Sequence, residues 1–428
     1  MPSRWTEDTR ACQPSFARSL RTSWLPDAFA DSGLLGRLSE GAFLRSPSDV
    51  PPLIANAPLH WLTVPVGERV RTVPLLPADV YAGLHVLVER ALRGHAFQPG
   101  AHNGTHTDWD YRSAYRDRSE SLTALASDGE SPWIQHLDIE NFGPGVRLDT
   151  LLAAPWMTEE LGSALRVVRR RTGQCLLHAG SWSTRLGSAL LTPLDEVVAQ
   201  HVGDRWARWS DGWHIAVRDP EEGARIREAV AAELGRAGLR LSPRKTALLP
   251  PAAVLAGVAA NVAGPPGEVW RLAVRHDDVR RYRYALPRAA PAPEISAALP
   301  GLVRRHPALL PRAALHLDRA ATTAQAPGTF TALLRWATGR GPTREAPFRC
   351  GRLLVLAARH PHFARLVPLS ALDRWCASSV APLRDLAERA AVTGYGPDAV
   401  RDPGPRTRDW IRGGASVTDR PPQAATLL

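Results

Sequence analysis

Lysine is almost absent from this chain. Of its 53 basic residues 52 are arginine, and the single lysine is Lys245. Arginine, alanine, leucine and proline crowd the sequence, as coding material that avoids lysine codons would produce. A lysine that persists in such a chain is a candidate for a role of its ammonium. Cysteine is scarce as well. Cys12, Cys175, Cys350 and Cys376 stand far apart with no CxxC pair, which argues against a zinc ribbon or a disulfide scaffold and leads to the expectation of a reduced, cytoplasmic protein. No run approaches the ~18 apolar residues of a membrane span, and MPSRWTEDTRACQPSF has no apolar signal-like stretch. Secretion and membrane insertion are therefore not expected.

What is present can build full cores. The chain has 428 residues, 44% of them hydrophobic, and at ~100 to 200 residues per domain it should hold two to four units. Disorder throughout is excluded. The net charge of +11 is unevenly placed: residues 1–250 carry 28 basic and 29 acidic residues, residues 251–428 carry 25 and 13. Counterion release makes the basic half a nucleic-acid candidate, and a solvated arginine-rich face is the alternative.

The Ala/Pro-rich LPRAAPAPEISAALPG at 286–301 reads as a domain junction. Beyond it, stretches such as TFTALLRWATG and RCGRLLVLAARH carry helical spacing, which predicts an all-α domain. From residue 396 onward core formers are few, so a disordered tail is expected. Before the junction strands alternate with helices. WIQHLDIENF (133–142) begins strand-like and is stopped by FGPG, and GSALLTPLDEVVAQHVG reads as one helix with Leu190, Leu194, Val197 and Val198 on one side. RWARWS and WHIAV flank Asp211-Gly212, a tight-turn signal. DPEEGARIREAVAAELGRAG has an Asp219 cap, Pro220 in the first helical position, Glu222 in the capping-box position and Gly238 at its end. LRL, a turn at SPRKT and ALL suggest a last hairpin. The order predicts an α+β sheet with helices on one face.

Two carboxylates sit where a metal could be shared: Asp138 at a strand end and Asp211 at the hairpin tip, 73 positions apart. Four blocks around them, HLDIENFGPGV, LLHAGSWSTRLGSALLTPLDE, RWSDGWHIAV and LGRAGLRLSPRKTALL, resemble in order the palm motifs of reverse transcriptases. The third resembles the Arg-Tyr-x-Asp-Asp hairpin and the fourth Gly-Leu-x-Leu-x-x-x-Lys-Thr. The resemblance covers roughly residues 60 to 250, and its nearest flavour is the defence-associated and abortive-infection type with a helical C-terminal extension.

The resemblance implies an α+β fold with a right-hand palm and fingers over 61–285, preceded by an extension at 1–60 and followed by the helical domain at 286–395 and the tail at 396–428. It implies a metal-dependent, RNA-directed nucleotidyltransferase, divergent or untemplated, in the setting of phage defence. Its partners would be RNA or DNA template and primer and nucleoside triphosphates, with a protein partner or oligomer open and no membrane. Two Mg²⁺ ions, or Mn²⁺, would be held by Asp138, the backbone carbonyl of Ile139, and Asp211, since hard oxygen ligands suit these ions. Lys245 falls on the lysine position, near the leaving pyrophosphate. Phe142, Gly143, Gly180 and Thr184 would line the nucleotide. Arg71 of GERVRTVP would reach the triphosphate, with Arg69 in reserve. Trp206, Trp209 and Trp213 flank the turn, and core packing is expected of them over base stacking.

The pattern is broken at three places. Gly212 stands where a second hairpin Asp belongs, Gly143 where the family carries the aromatic residue facing the ribose 2′-hydroxyl, and His178-Ala179-Gly180 in place of Pro-Gln-Gly. Glu140 is a candidate to supply the lost carboxylate. A catalytically inactive reverse-transcriptase-like protein that binds nucleic acid or a partner protein is the second expectation.

Overall fold

The computed structural model describes residues 4–22, 38–41, 43–66, 69–105, 111–177, 181–259, 264–339, 346–378, 381–404, 407, 408 and 411. The chain divides into one unit of residues 1–23, 33–57 and 78–261 and a second of 24–32, 58–77 and 262–428.

The first unit is built on a four-stranded antiparallel sheet. Its strands are β3 (Trp133–Asp138), β4 (Trp206–Trp209), β5 (Gly212–Val217) and β6 (Ala247–Leu249), in the order β4-β5-β3-β6. The register sets Ile134 against Ala216, His136 against His214 and Asp138 against Gly212. Side chains alternate across a strand, so these pairs share one face. There Ile134, Ala207 and Ala216 pack on Leu122, Leu125 and Ala126 of the Tyr111–Ser127 helix and on Val254 of the Pro251–Ala259 helix.

Leu137, Trp213 and Ile215, on the other face, are fully buried where the Thr192–Val202 and Pro220–Arg236 helices pack. Helices thus cover both faces, not the one expected. The reason lies in the strands, which carry apolar residues at both parities and so leave neither face for water.

The Pro220–Arg236 helix forms as its sequence dictates. The Asp219 carboxylate accepts the Glu222 N–H at 2.7 Å, Ile226, Val230 and Leu234 recur every four residues and are fully buried, and Gly238 takes a φ of +71° just past the end. The single helix expected over residues 187–203 is divided between two, Ser181–Leu190 and Thr192–Val202. Pro193 has no N–H to continue the ladder, so the chain restarts there. Nor do LRL and ALL pair with each other: Leu241 bridges Ile139, and Ala247–Leu249 pair with His136–Ile134. Both lie on the same edge of β3, and 242–246 bulge away between them.

The Arg4–Thr22 helix belongs to this unit, with Trp5 and Phe16 buried and the Ser15 hydroxyl 2.8 Å from His85 Nε2. It is part of the same body, where the sequence suggested a separate extension.

The second unit is mostly helical and holds the β1 (His60–Val66) and β2 (Arg69–Leu75) hairpin, which packs on the Ala346–Arg359 helix. Phe330 stacks on Phe363 in its core at 4.7 Å. The division at 261/262 precedes the 286–301 stretch. Leu286 and Ala289 in that stretch are buried, and the Arg319 guanidinium donates to both of their carbonyls at 2.8 Å. Residues 397–399 form a short turn of helix and the Gly404 N–H donates to Glu388, while residues 412–428 of the expected tail lie outside the described residues. Among the described residues no helix is long and apolar enough to cross a membrane.

Candidate active site

β3 ends at Asp138, directly across from Gly212. One residue further the Ile139 N–H donates to the Asp211 carbonyl at 3.1 Å. Asp138 and Asp211 are therefore brought together at neighbouring strand ends. Burial pushes the Asp211 carboxyl above its ordinary range, and the charge of Asp138 adds to the shift. A buried carboxyl beside a second negative charge is a donor a cation relieves.

The turn is shifted by one residue from the sequence expectation. Trp209 pairs with Gly212, so the two loop residues are Ser210 and Asp211, and Gly212 is in the strand. Ser210 takes a φ of +57°, a left-handed conformation that costs a non-glycine residue about 1 kcal/mol or more. Its compensation lies in Arg208, whose side chain is fully buried. Its guanidinium donates to the Ser210 carbonyl at 2.7 Å and grips Asp195 through Nε at 2.8 Å and a terminal nitrogen at 2.7 Å. The Trp213 indole donates to the same carboxylate at 2.8 Å. Burial pushes the Asp195 carboxyl up, and the Arg208 charge and these donors oppose it.

Arg208 and Asp195 lie inside the motif blocks, yet sequence reasoning assigns them no role. The legible signal is Asp195 sitting between Leu194 and Val198 on the apolar side of its helix.

Lys245 reaches the site from the 242–246 bulge. Its ammonium donates to both Asp138 oxygens, at 2.8 and 3.0 Å. The bulge is held where the Ser242 carbonyl accepts the N–H groups of Lys245 at 3.2 Å and Thr246 at 2.9 Å, and where the Ser242 N–H donates to the Asp138 carbonyl at 2.7 Å. Among the described residues no hydrogen bond ends on the Ile139 carbonyl oxygen. Two carboxylates and that carbonyl are oxygen donors of the kind hard divalent cations take.

A third carboxylate is missing. A Cβ at Gly212 would lie 3.6 Å from Asp138 Oδ2 and 3.7 Å from His136 Nε2, ordinary contact distances. Glu140 does not fill the place, because it is paired with Arg240. Among the described residues no three His, Cys, Asp or Glu side chains gather as a metal-ligand group. His136 and His214 stack at 4.5 Å beside Gly212, and burial pushes the His214 imidazole down to about 3. Burial lowers His136 as well.

The other expected residues scatter. The Phe142 ring lies against the 181–190 helix, 2.9 Å from where a Cβ on Gly187 would stand, and Gly143 is half-buried beside it. Thr184 packs its backbone on the Gly104 turn. Arg71 is exposed on β2, in the second unit. Gly180 lies outside the described residues, as does the side chain of Arg69. Trp206 and Trp213 are buried, and Trp209 meets Tyr115 edge-on at 5.5 Å.

No protein-family model matches the chain, and no curated protein matches it in sequence.

Proposed function

We propose that the first unit carries a divergent reverse-transcriptase-like palm and that the chain is a metal-dependent nucleotidyltransferase acting on nucleoside triphosphates, with RNA or DNA as template, primer or acceptor. The observation that supports it is the convergence of Asp138, Asp211 and Lys245. Asp138 and Lys245 are 107 positions apart, yet they meet at 2.8 Å, and Asp211 joins them through the turn of the adjacent strand. The β4-β5-β3-β6 order supports it too, since the central pair β5-β3 presents both carboxylates at one end.

In this reading Asp138, Asp211 and the Ile139 carbonyl hold Mg²⁺ or Mn²⁺, which when bound supplies Lewis-acid activation of the acceptor hydroxyl and charge neutralisation at the triphosphate. Arg208 and Asp195 keep the Asp211 turn in its strained shape, so the carboxylates are placed before substrate arrives. Lys245 provides the positive charge for the polyphosphate. With two carboxylates in place of three, metal affinity and rate are low. A role in phage defence belongs to this proposal by analogy of motif alone.

The test is primer extension and terminal transfer with Mg²⁺ or Mn²⁺ for wild type, Asp138→Ala and Asp211→Ala. Incorporation by wild type that both substitutions abolish supports the reading, and incorporation indifferent to both sinks it.

Glycine in place of a carboxylate at position 212 favours a second reading: a catalytically silent relative that binds nucleic acid or a partner protein. Wild type that binds nucleic acid but incorporates nothing with either metal would select it.

A further inference from the structure

At the end of β3 the Asp138 carboxylate is paired with the ammonium of the chain's sole lysine. Its nitrogen lies 2.8 and 3.0 Å from the two oxygens of Asp138, on the open edge of the carboxylate. A divalent cation would bind there at about 2.0–2.6 Å from oxygen. Two cations on one edge would stand within about 3 Å of each other, a separation that repels strongly in a partly desolvated site. On that edge an ammonium and a divalent cation compete for Asp138.

The anchoring of Lys245 is suited to exchange. Its backbone is fixed by the Ser242 carbonyl and by Leu241 and Ala247, which pair with β3 on either side of the bulge. Its side chain is 59% exposed while that of Asp138 is 12% exposed, so the ammonium can leave into solvent and the carboxylate cannot. The held partner is buried and the holding one is free to swing. Once released, the ammonium remains tethered beside the carboxylates, where an anion brought by the metal would meet it.

We propose that Lys245 is a displaceable counter-ion. Its ammonium neutralises Asp138 until a divalent cation takes that edge, and the freed ammonium then binds the polyphosphate of the incoming nucleotide. Metal and nucleotide binding are thereby coupled through one side chain, and by linkage each strengthens the other. The inference rests on the nucleotidyltransferase reading of the site.

Because Lys245 is unique, reductive ¹³C-methylation places a single lysine probe in the wild-type chain, and the cation itself is the titrant. Saturable movement of the dimethyl-lysine resonance on adding Mg²⁺, absent in Asp138→Asn, is the expected result; a resonance that Mg²⁺ leaves in place overturns the exchange. Mn²⁺ binding read by electron paramagnetic resonance provides the second arm. Lys245→Met, checked for wild-type folding by circular dichroism, should bind Mn²⁺ several-fold more tightly than wild type, and Asp138→Asn should bind none. If Asp138→Asn loses Mn²⁺ but Lys245→Met binds it no better than wild type, the counter-ion role fails while the metal site stands. If no variant binds Mn²⁺, both the counter-ion role and the metal-dependent reading fall together.

Discussion

Arg208 and Asp195 form a two-point ion pair whose side chains are 0% and 1% exposed, and through the same guanidinium the pair holds the Ser210 carbonyl of the turn that carries Asp211. An ion pair so deep is weak as a source of net stability, because desolvation offsets most of the attraction, but removing one partner strands a buried charge. Arg208→Met should lower stability by about 3–5 kcal/mol. Pairing it with Asp195→Leu should recover part of that loss. Denaturant melts of the two singles and the double measure the coupling; additive losses would show that the pair is not a unit. Any nucleotide incorporation should vanish in Arg208→Met and in the double, which remove the donor to the Ser210 carbonyl.

Gly212→Asp should fit. Ordinary contact distances surround the new Cβ, and the residue is in a strand without a left-handed φ. A third carboxylate beside Asp138 and Asp211 raises repulsion in the absence of metal and adds a ligand in its presence. The expected outcome is a lower melting temperature in chelator, recovery in Mn²⁺, and Mn²⁺ affinity raised about tenfold, equivalent to about 1.4 kcal/mol. A melting temperature that ignores Mn²⁺ would count against the metal site.

Stability should fall as pH drops below about 6.5. Burial pushes His85 and His214 down to about 3, and His316 to about 4. A histidine whose folded value is depressed binds its proton more readily when unfolded, so its stabilising contribution is complete above the unfolded value and is lost as pH falls toward the folded one. Each should cost up to about 2 kcal/mol by pH 5, from ~1.4 kcal/mol per pH unit. Urea melts at pH 7.5, 6 and 5 measure it, and His214→Leu should show a shallower decline. Equal midpoints across that range would refute the assignment.

Nucleic-acid binding, where it occurs through the second unit, should run through its exposed arginines. Arg271, Arg275, Arg280 and Arg283 are exposed on the Pro266–His276 and Val279–Ala285 helices. Changing all four to Gln should weaken binding and reduce the slope of log K against log salt by about 0.7–0.9 for each phosphate no longer neutralised. An unchanged slope would assign the basic excess to a solvated face.

Much of the local structure is legible in the sequence because its signals are short-range. The Asp219 cap and the four-residue spacing of Ile226, Val230 and Leu234 identify their helix, and the alternating runs around residue 211 identify a hairpin. Asp138, Asp211 and Lys245 are legible as candidates through motif resemblance. The one-residue error in the turn is not avoidable from Asp-Gly alone. That dipeptide favours the loop on intrinsic grounds, and the preference is overridden by Arg208 holding Ser210 in a left-handed conformation from below.

The chain by itself determined a lysine-poor protein with a basic C-terminal half, strands apolar at both parities, and a lone ammonium near a motif that lacks one carboxylate. Only the tertiary structure decided that Lys245 lies on Asp138, that Glu140 is taken by Arg240, and that β1 and β2 pack with the helical unit. The two ion pairs join residues up to 107 positions apart. They depend on how the edge of β3 admits a bulge and on which side chain reaches a charge first, neither of which is encoded in local pattern.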